Sequence, residues 1–229
     1  SILAVDADTG EYRWHYQTTP RDRWDYTATQ QIMLADLPLG ENGAERRVVM
    51  QAPKNGFFYV LDAADGELIS ATPFTNQNWT TGEFDENGRP VLVEEAVDLA
   101  LYAVVPGPTG AHNWHPMAFN PDTGLVYIPV NEIPFFYDKT RNVEESKSFW
   151  NIGYDAAAGW PVEYPAGTLD AVAGLDGGSL LAWDPVKAEP RWAVPFALPL
   201  NGGVLSTDAG LVFQGNKFGD LVAYDAENG

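Results

Sequence analysis

Near its start the chain carries the stretch Ala4-Val5-Asp6-Ala7-Asp8-Thr9-Gly10-Glu11-Tyr12-Arg13-Trp14, and the same pattern returns as Ala182-Trp183-Asp184-Pro185-Val186-Lys187-Ala188-Glu189-Pro190-Arg191-Trp192. In both copies an Ala stands two residues before an Asp, and a Trp follows eight residues after that Asp. Weaker copies cover residues 60–68, 119–127 and 223–229. Recurrence of one short pattern along the chain predicts a repeat architecture.

Each part of this pattern has a physical role. The Asp accepts hydrogen bonds from the amides of the turn that follows it, the Gly supplies a positive φ, and the small Ala lets neighbouring sheets approach. The Trp would fill the space between two stacked sheets. Radially packed four-stranded sheets, the blades of a β-propeller, need these features. An ordinary β-sandwich is the alternative fold, although its strands need no such recurring pattern. The sequence therefore predicts an all-β propeller.

Helical patterns are short, and long irregular stretches separate the repeats. Residues 94–101 could form one short helix, and residues 156–158 another turn. The stretches at about 73–112 and 133–174 are rich in Gly, Pro, Asn and aromatic residues. Loops of this length are usually functional or disordered. Because their aromatic content argues against disorder, we expect ordered excursions that cover one face of the fold.

Composition excludes several classes of function. The chain of 229 residues has 13 basic and 32 acidic residues, giving a net charge of −19, which disfavours nucleic acids and anionic membranes as partners. Solubility is the simplest explanation of this acidity. The absence of cysteine excludes disulfides, a cysteine nucleophile and a CxxCH haem attachment within these residues. No apolar run is long enough to predict a membrane span.

Two charged residues lie in distinctive loops. Asp25 stands between Trp24 and Tyr26, and these aromatic neighbours would desolvate the carboxylate and favour a general base. The alternative is that Asp25 only caps a turn. Lys54 lies between Pro53 and Asn55-Gly56, just before an apolar strand. Such a lysine can donate to an oxyanion or a quinone oxygen, but it can also be an ordinary exposed turn residue.

A third loop contains Asn113-Trp114-His115-Pro116, which combines an amide, an indole and an imidazole. It can be a binding loop, or a structural loop held by Trp114 in the core. The histidines do not predict a metal site, since His112 and His115 are three apart in a loop and His15 lies in a strand.

Four motifs in one order carry a resemblance to a known family: Trp24-Asp25-Tyr26-Thr27-Ala28-Thr29-Gln30, Ala52-Pro53-Lys54-Asn55-Gly56-Phe57-Phe58-Tyr59-Val60-Leu61-Asp62, Gly110-Ala111-His112-Asn113-Trp114-His115-Pro116-Met117 and Leu200-Asn201-Gly202-Gly203-Val204. Over essentially its whole length the chain resembles the pyrroloquinoline quinone (PQQ)-dependent alcohol dehydrogenases, most closely the quinohaemoprotein type. The resemblance implies an eight-bladed propeller with Trp docking motifs. Residues 1–229 would form a single partial propeller domain of about four blades, and we expect them to belong to a longer chain.

The resemblance also implies roles for individual residues. Asp25 matches the catalytic base, which lies beside the cofactor and its Ca²⁺ and is a tentative metal ligand. Lys54 matches the lysine that donates to the quinone oxygens, Asn113 and Trp114 match cofactor contacts, and Val204 matches a backbone contact. The implied reaction is hydride transfer from a small alcohol to PQQ.

Other parts of such an enzyme are expected elsewhere. The remaining Ca²⁺ ligands would come from outside this chain, and haem c would be possible only on a C-terminal domain that this sequence does not contain. The implied electron acceptor is a cytochrome or a haem domain, and the implied location is the periplasm. We expect residues 1–229 alone to bind cofactor weakly or not at all, and to be inactive.

Two alternatives to this function remain open at the level of sequence. One is a propeller scaffold of the outer-membrane assembly type, without catalysis. Separations of more than about 15 Å between Asp25, Lys54 and Asn113 would favour it, since one small cofactor could not touch all three. The other is a quinoprotein that acts on sugar or polymer alcohols, with the aromatic segment 135–160 as the predicted substrate loop.

Overall fold

A computed structural model describes residues 1–98, 100–138 and 177–229. Within these ranges the chain consists almost entirely of antiparallel strands, which form four main sheets and two smaller strand pairs. We number the main sheets I to IV in chain order.

Sheet I contains β1 (Ile2–Val5) and β2 (Tyr12–Tyr16), and sheet II has the order β3 (Met33–Leu37), β4 (Arg46–Gln51), β5 (Phe57–Asp62) and β6 (Leu68–Pro73). A short 3-10 turn (Glu41–Gly43) joins β3 to β4. An excursion follows, with the hairpin β7 (Thr80–Phe84) and β8 (Pro90–Leu92), helix α1 (Glu94–Asp98) and strand β9 (Ala100–Val104). Sheet III contains β10 (Ala118–Asn120) and β11 (Leu125–Asn131); the next strand, β12 (Phe135–Asp138), pairs instead with β9. Sheet III is completed by β13 (Gly178–Asp184) and β14 (Glu189–Phe196), and sheet IV contains β15 (Val204–Ser206), β16 (Leu211–Gly215) and β17 (Leu221–Asp225).

Central strands supply apolar side chains to both neighbouring sheets. In β5, Tyr59 and Leu61 pack in the cluster shared with sheet I, whereas Phe58 and Val60 pack in the cluster shared with sheet III. This follows from the alternation of side chains along a strand. A third cluster lies between sheets III and IV. Three successive intersheet cores are the arrangement of propeller blades rather than of a two-layer sandwich. The predicted partial propeller is confirmed, with two complete four-stranded sheets between two incomplete ones.

The Trp of each strong repeat docks on the next sheet. Trp14 Nε1 donates to the carbonyl oxygen of Ala63 at 3.2 Å, and Trp192 Nε1 donates to that of Ala226 at 3.1 Å. Each acceptor Ala follows the Asp of the next copy of the pattern. The Gly three residues later leaves room for the indole, since a Cβ on Gly66 would lie 2.5 Å from the Trp14 ring. The Trp of one copy and the turn of the next copy, with its Asp and Gly, therefore form one intersheet contact.

The contact between sheets II and III lacks this docking Trp. Eight residues after Asp62 stands Ser70, where the strong copies have Trp. On the facing turn, Ala188 replaces the usual Gly and adopts a φ of 55°. Its side chain packs against the apolar cluster between the two sheets, where the rings of Phe58 and Trp183 lie 5.8 Å apart. This interface therefore has neither the docking indole nor the turn glycine of the two strong contacts.

One weak copy of the pattern occupies a different place in its sheet. In residues 119–127, Asn120 Oδ1 accepts from the amides of Asp122 and Thr123, as the Asp residues of the strong copies do. This turn joins β10 to β11, the first two strands of sheet III, whereas the strong copies join the last two. The turn chemistry was predicted correctly, but its place in the repeat was not.

The first long irregular stretch is an ordered excursion. The predicted helix at 94–101 ends at Asp98, and strand β9 begins at Ala100. Trp79 is fully buried and donates from Nε1 to the carbonyl oxygen of Asn55 at 2.9 Å. Several predictions lie outside the described residues. They are the turn at 156–158, most of the substrate loop at 135–160, and the order of the second long stretch, which contains the aromatic residues Phe149, Trp150 and Trp160. None of the described helices has the length and hydropathy of a bilayer span.

Candidate active site

Four connecting segments that carry the predicted site residues lie at corresponding ends of the sheets. Because neighbouring strands are antiparallel, the segment before β3 and the β4–β5 loop share one end of sheet II. We call residues 17–32, before β3, the Asp25 loop, and residues 52–56, between β4 and β5, the Lys54 loop. Residues 105–117, before β10 of sheet III, are the Asn113 loop. Residues 197–203 enter sheet IV in the same way.

The structure brings the predicted acid and the predicted cation into contact. Lys54 Nζ lies 2.9 Å from Asp25 Oδ2. The lysine side chain is only 9% exposed, whereas the aspartate side chain is 60% exposed. Burial of an ammonium group is costly unless it is paired. Lys54 is therefore not the exposed turn residue of the alternative interpretation, and its counter-charge is open to solvent.

Asp25 points away from its aromatic neighbours. Trp24 and Tyr26 are buried in the core, while Asp25 has a φ of 63° and projects outward. The expectation that these aromatics desolvate the carboxylate is wrong, because their rings face the opposite side of the loop. The turn-capping alternative is also wrong for Asp25. The capping residue is Asp22, whose Oδ1 accepts from the amides of Trp24 at 3.0 Å and Tyr26 at 3.2 Å.

The two aromatic residues anchor the Asp25 loop. Trp24 Nε1 donates to the carbonyl oxygen of Ala96 at 3.1 Å, and the Tyr26 hydroxyl donates to that of Pro106. Both rings lie 5.5 Å from the ring of Trp79. Edge and tilted contacts of this kind add to the stabilisation from burial. The base of the loop is therefore fixed on both sides of Asp25.

The Asn113 loop packs along the Lys54 loop. The Ala111 amide donates to the Lys54 carbonyl oxygen at 2.9 Å. Gly110, with a φ of 80°, lies against the lysine side chain, and a Cβ there would be 2.3 Å from Lys54 Cγ. Sequence reasoning assigned no role to Gly110, although it lies inside the motif that begins Gly110-Ala111-His112. A glycine beside candidate binding residues is the signal that could have identified it.

His112 joins the same two loops from within the core. It is fully buried, with Nδ1 2.6 Å from the Ala52 carbonyl oxygen and Nε2 2.7 Å from that of His115. Burial lowers the pKa of His112 and outweighs the two carbonyl contacts, which favour the protonated ring. Burial also lowers the pKa of His115. In the described ranges, no group of three or more His, Cys, Asp or Glu side chains could hold a metal ion.

Asn113 and Trp114 have opposite environments. Asn113 is buried, and its Nδ2 donates to the Thr109 carbonyl oxygen at 2.8 Å while its Oδ1 accepts from Gln30 Nε2 at 3.5 Å. Trp114 is 74% exposed and stacks on His115, with ring centroids 5.3 Å apart. Trp114 therefore does not hold the loop in the core, which excludes the alternative stated above.

Val204 lies beside the end of the Asn113 loop. Its amide donates to the Pro116 carbonyl oxygen at 2.8 Å. A Cβ on the preceding Gly203 would lie 2.2 Å from Pro116 Cδ, so this glycine permits the close approach. The fourth predicted segment thus meets the third through backbone contact.

Buried amides outside the predicted set support the Asp25 loop. Gln51 Nε2 donates to the carbonyl oxygens of Ala28 at 3.2 Å and Gln30 at 2.7 Å. Within the described residues, Oε1 of Gln30 and Oε1 of Gln51 are buried without a recorded partner. Sequence reasoning gave neither glutamine a role, although Gln30 ends the motif that begins at Trp24.

The sequence of this chain is similar to one protein family and to named alcohol dehydrogenases. The family described as PQQ, glucose/ethanol/alcohol dehydrogenase, beta-propeller domain, matches residues 1–83. Quinohemoprotein alcohol dehydrogenase ADH-IIG of Pseudomonas putida is 48% identical over 238 residues, which cover 100% of this chain and 32% of that protein. The quinohemoprotein alcohol dehydrogenase of Comamonas testosteroni is 45% identical over 239 residues, with 32% of its length covered. The chain thus spans about a third of the length of these curated relatives.

The chain is also similar to solved structures of alcohol dehydrogenases. The quinohemoprotein alcohol dehydrogenase ADHIIG structure from Pseudomonas putida matches 99% of this chain and 34% of its own, with a TM-score of 0.86 and 46% identity. A europium-containing methanol dehydrogenase matches 98% of this chain and 38% of its own, with a TM-score of 0.78 and 31% identity. The sequence alignment with ADH-IIG covers 100% of this chain and therefore includes all four segments of the candidate site.

Proposed function

We propose, on the premise that this chain belongs to the PQQ-dependent alcohol dehydrogenases, that it supplies the Lys54–Asp25 part of an active site that oxidises small alcohols. In this proposal residues 1–229 form one partial propeller domain. The observation that carries the proposal is the contact at 2.9 Å between a buried ammonium and an exposed carboxylate. The wide separation of Lys54 and Asp25 that a scaffold without catalysis predicts is not found.

The residues present fit an anionic quinone such as PQQ. Lys54 has three N–H donors, and Asp25 is its one recorded partner among the described residues. Two donors are therefore available for quinone oxygens in a nearly buried position. The exposed indole of Trp114 and the amide of Asn113 are the further cofactor contacts in this proposal, and the backbone of Val204 is a third. A contact at Val204 would use a group other than its N–H, which already donates to Pro116.

When bound, PQQ supplies the two-electron acceptor that takes the hydride from the alcohol carbon. The chain's own residues handle the proton and the charge. Asp25 is accessible to an alcohol and accepts its hydroxyl proton as the general base. Lys54 would donate to the quinone oxygens and would stabilise negative charge there. Because Lys54 also contacts Asp25, one buried cation orients the base and binds the acceptor.

Calcium and the electron acceptor belong to the same proposal. Ca²⁺ takes about six to eight oxygen ligands, of which Asp25 would supply one or two; the others would come from outside the described residues. Electrons would pass to a cytochrome or a haem domain, in keeping with a relative named 1-butanol dehydrogenase (cytochrome c), which is 42% identical. The periplasm is the proposed location, as the resemblance to the quinohaemoprotein alcohol dehydrogenases implies.

The test uses the whole protein that carries this chain, loaded with PQQ and Ca²⁺. Dye-linked oxidation of small alcohols should be lost by about 10²- to 10⁴-fold in Asp25→Asn, as expected for removal of a general base, while the quinone absorbance is retained. Lys54→Met should weaken PQQ binding. A matched control is Asp36→Asn, because Asp36 forms an exposed ion pair with Arg47 at 2.9 Å in sheet II.

Two outcomes would contradict the proposal. Normal turnover by Asp25→Asn would remove Asp25 from the role of base. Absence of PQQ-dependent oxidation in the wild-type protein, with small alcohols and with sugar or polymer alcohols, would favour the scaffold.

A further inference from the structure

We propose that Asp22 is a positioning residue, which holds the backbone of Asp25 in the conformation that directs its carboxylate to Lys54. The catalytic consequence of this inference rests on the proposed function, whereas its structural content does not.

Asp25 has a backbone conformation that needs support. Its φ of 63° lies in the left-handed region, which is disfavoured for residues with a Cβ even though Asp tolerates it better than most. Its side chain is 60% exposed, so packing gives the residue little support. The direction of the carboxylate therefore depends on the backbone, and the backbone must be held by its neighbours.

Asp22 supplies this support on both sides of Asp25. One carboxylate oxygen, Oδ1, accepts from the amide of Trp24, which precedes Asp25, and from the amide of Tyr26, which follows it. Two amides that converge on one acceptor close the chain into a tight loop around the residue between them. Removal of this acceptor would leave both amides free to turn.

The aromatic anchors determine which residue moves when the loop relaxes. Trp24 and Tyr26 are buried and donate to the backbone of the excursion and of the Asn113 loop. They are therefore fixed in the core, so any change of backbone conformation is expressed at Asp25. Its contact with Lys54 would lengthen first.

The chain contains a matched control in Asp85. In the β7–β8 hairpin, Asp85 Oδ1 accepts from the amide of Asn87 at 2.9 Å and from that of Arg89 at 2.8 Å. These amides lie two and four residues after the aspartate, the same spacing as for Asp22. Asp85→Ala therefore removes an equivalent cap from a hairpin that is not one of the four site segments.

The experiment compares Asp22→Ala, Asp22→Asn and Asp85→Ala in the whole PQQ- and Ca²⁺-loaded protein, by crystallography and by kinetics. In Asp22→Ala we expect a negative φ at residue 25, loss of the Lys54–Asp25 contact, and a fall in kcat of about 10- to 100-fold with a smaller change in KM, as for misplacement of a reacting group by about 1 Å. Asp22→Asn keeps the oxygen acceptor and should restore both the contact and kcat. Asp85→Ala should lower only the thermal midpoint.

The outcomes separate this inference from the proposed function. A crystal structure of Asp22→Ala that keeps the positive φ and the 2.9 Å contact would overturn the inference, as would an equal fall of kcat in Asp85→Ala. If Asp22→Ala does not fold, Asp22→Glu moves the acceptor by one methylene and makes the same test. If the wild-type protein shows no PQQ-dependent oxidation, the proposed function fails, but the crystallographic comparison still decides the role of Asp22.

Discussion

Substitution of Gly110 by Ala should displace Lys54 from Asp25. The added Cβ would lie 2.3 Å from Lys54 Cγ and 2.7 Å from Lys54 Cβ. Ordinary carbon contacts begin near 3.4 Å, so the lysine stem must retreat by about 1 Å. That retreat is enough to break a 2.9 Å ion pair. A shift of this size in a reacting group can reduce the rate by about 100-fold.

Gly110→Ala also destabilises the protein because alanine is strained at a positive φ. Gly124→Ala measures this backbone strain without the clash. Gly110 has a φ of 80° and Gly124 a φ of 69°, but a Cβ on Gly124 would meet nothing within 4 Å. An L residue in this region costs about 1 to 2 kcal/mol at either site. Both variants should therefore lose stability in chemical denaturation, and Gly110→Ala should lose more because of its clash.

The assay is PQQ affinity and kcat of the whole protein, measured beside the denaturation midpoints. Gly110→Ala should weaken quinone binding and lower kcat, whereas Gly124→Ala should leave both unchanged. If the two variants differ in neither respect, Lys54 is not held by Gly110 and the steric reasoning is refuted.

Three further predictions concern stability. Trp14→Phe should reduce the free energy of unfolding by about 1 to 2 kcal/mol, because it deletes the indole bond to Ala63; an unchanged denaturation midpoint would contradict this docking role. Asp25→Gly should be about 1 kcal/mol more stable than Asp25→Ala, since both lack the carboxylate and only Ala is strained at this φ; equal stability in urea would argue against strain. The lowered pKa of His112 means that the unfolded chain binds a proton that the folded chain does not, so stability should fall as the pH drops below the ordinary value of 6.5. In His112→Gln the thermal midpoint should fall less between pH 7 and pH 5, and an unaltered slope would exclude this histidine as a source.

The parts of the fold that were predicted from sequence are those governed by local chemistry. The spacing of Asp6, Gly10 and Trp14 encodes a turn and a docking side chain within one hairpin, and copies of that hairpin specify stacked sheets. Ser70 in place of Trp was equally visible in the sequence, because the spacing from Asp62 identifies the position.

Site geometry was harder to predict because it depends on contacts between distant segments. Lys54 is buried where Gly110 of a distant loop packs against it, and Asp25 is exposed on a left-handed backbone. Neither can be derived from adjacent residues, which for Asp25 suggested the opposite environment. The exposure of Trp114 likewise depends on the path of a loop that no periodicity describes.

The interface between sheets II and III, with Ser70 on one side and Ala188 on the other, has a consequence for breathing motions. At the end opposite the site loops, the two sheets are joined by apolar contact without a docking indole. At the end that carries the site loops, they are tied by paired bonds between Gln31 and Met117 and by the Ala111–Lys54 bond. If sheets II and III separate, they would part first at the end opposite the site and pivot about the site loops. The ion pair would then sit near the hinge axis, where displacement is smallest.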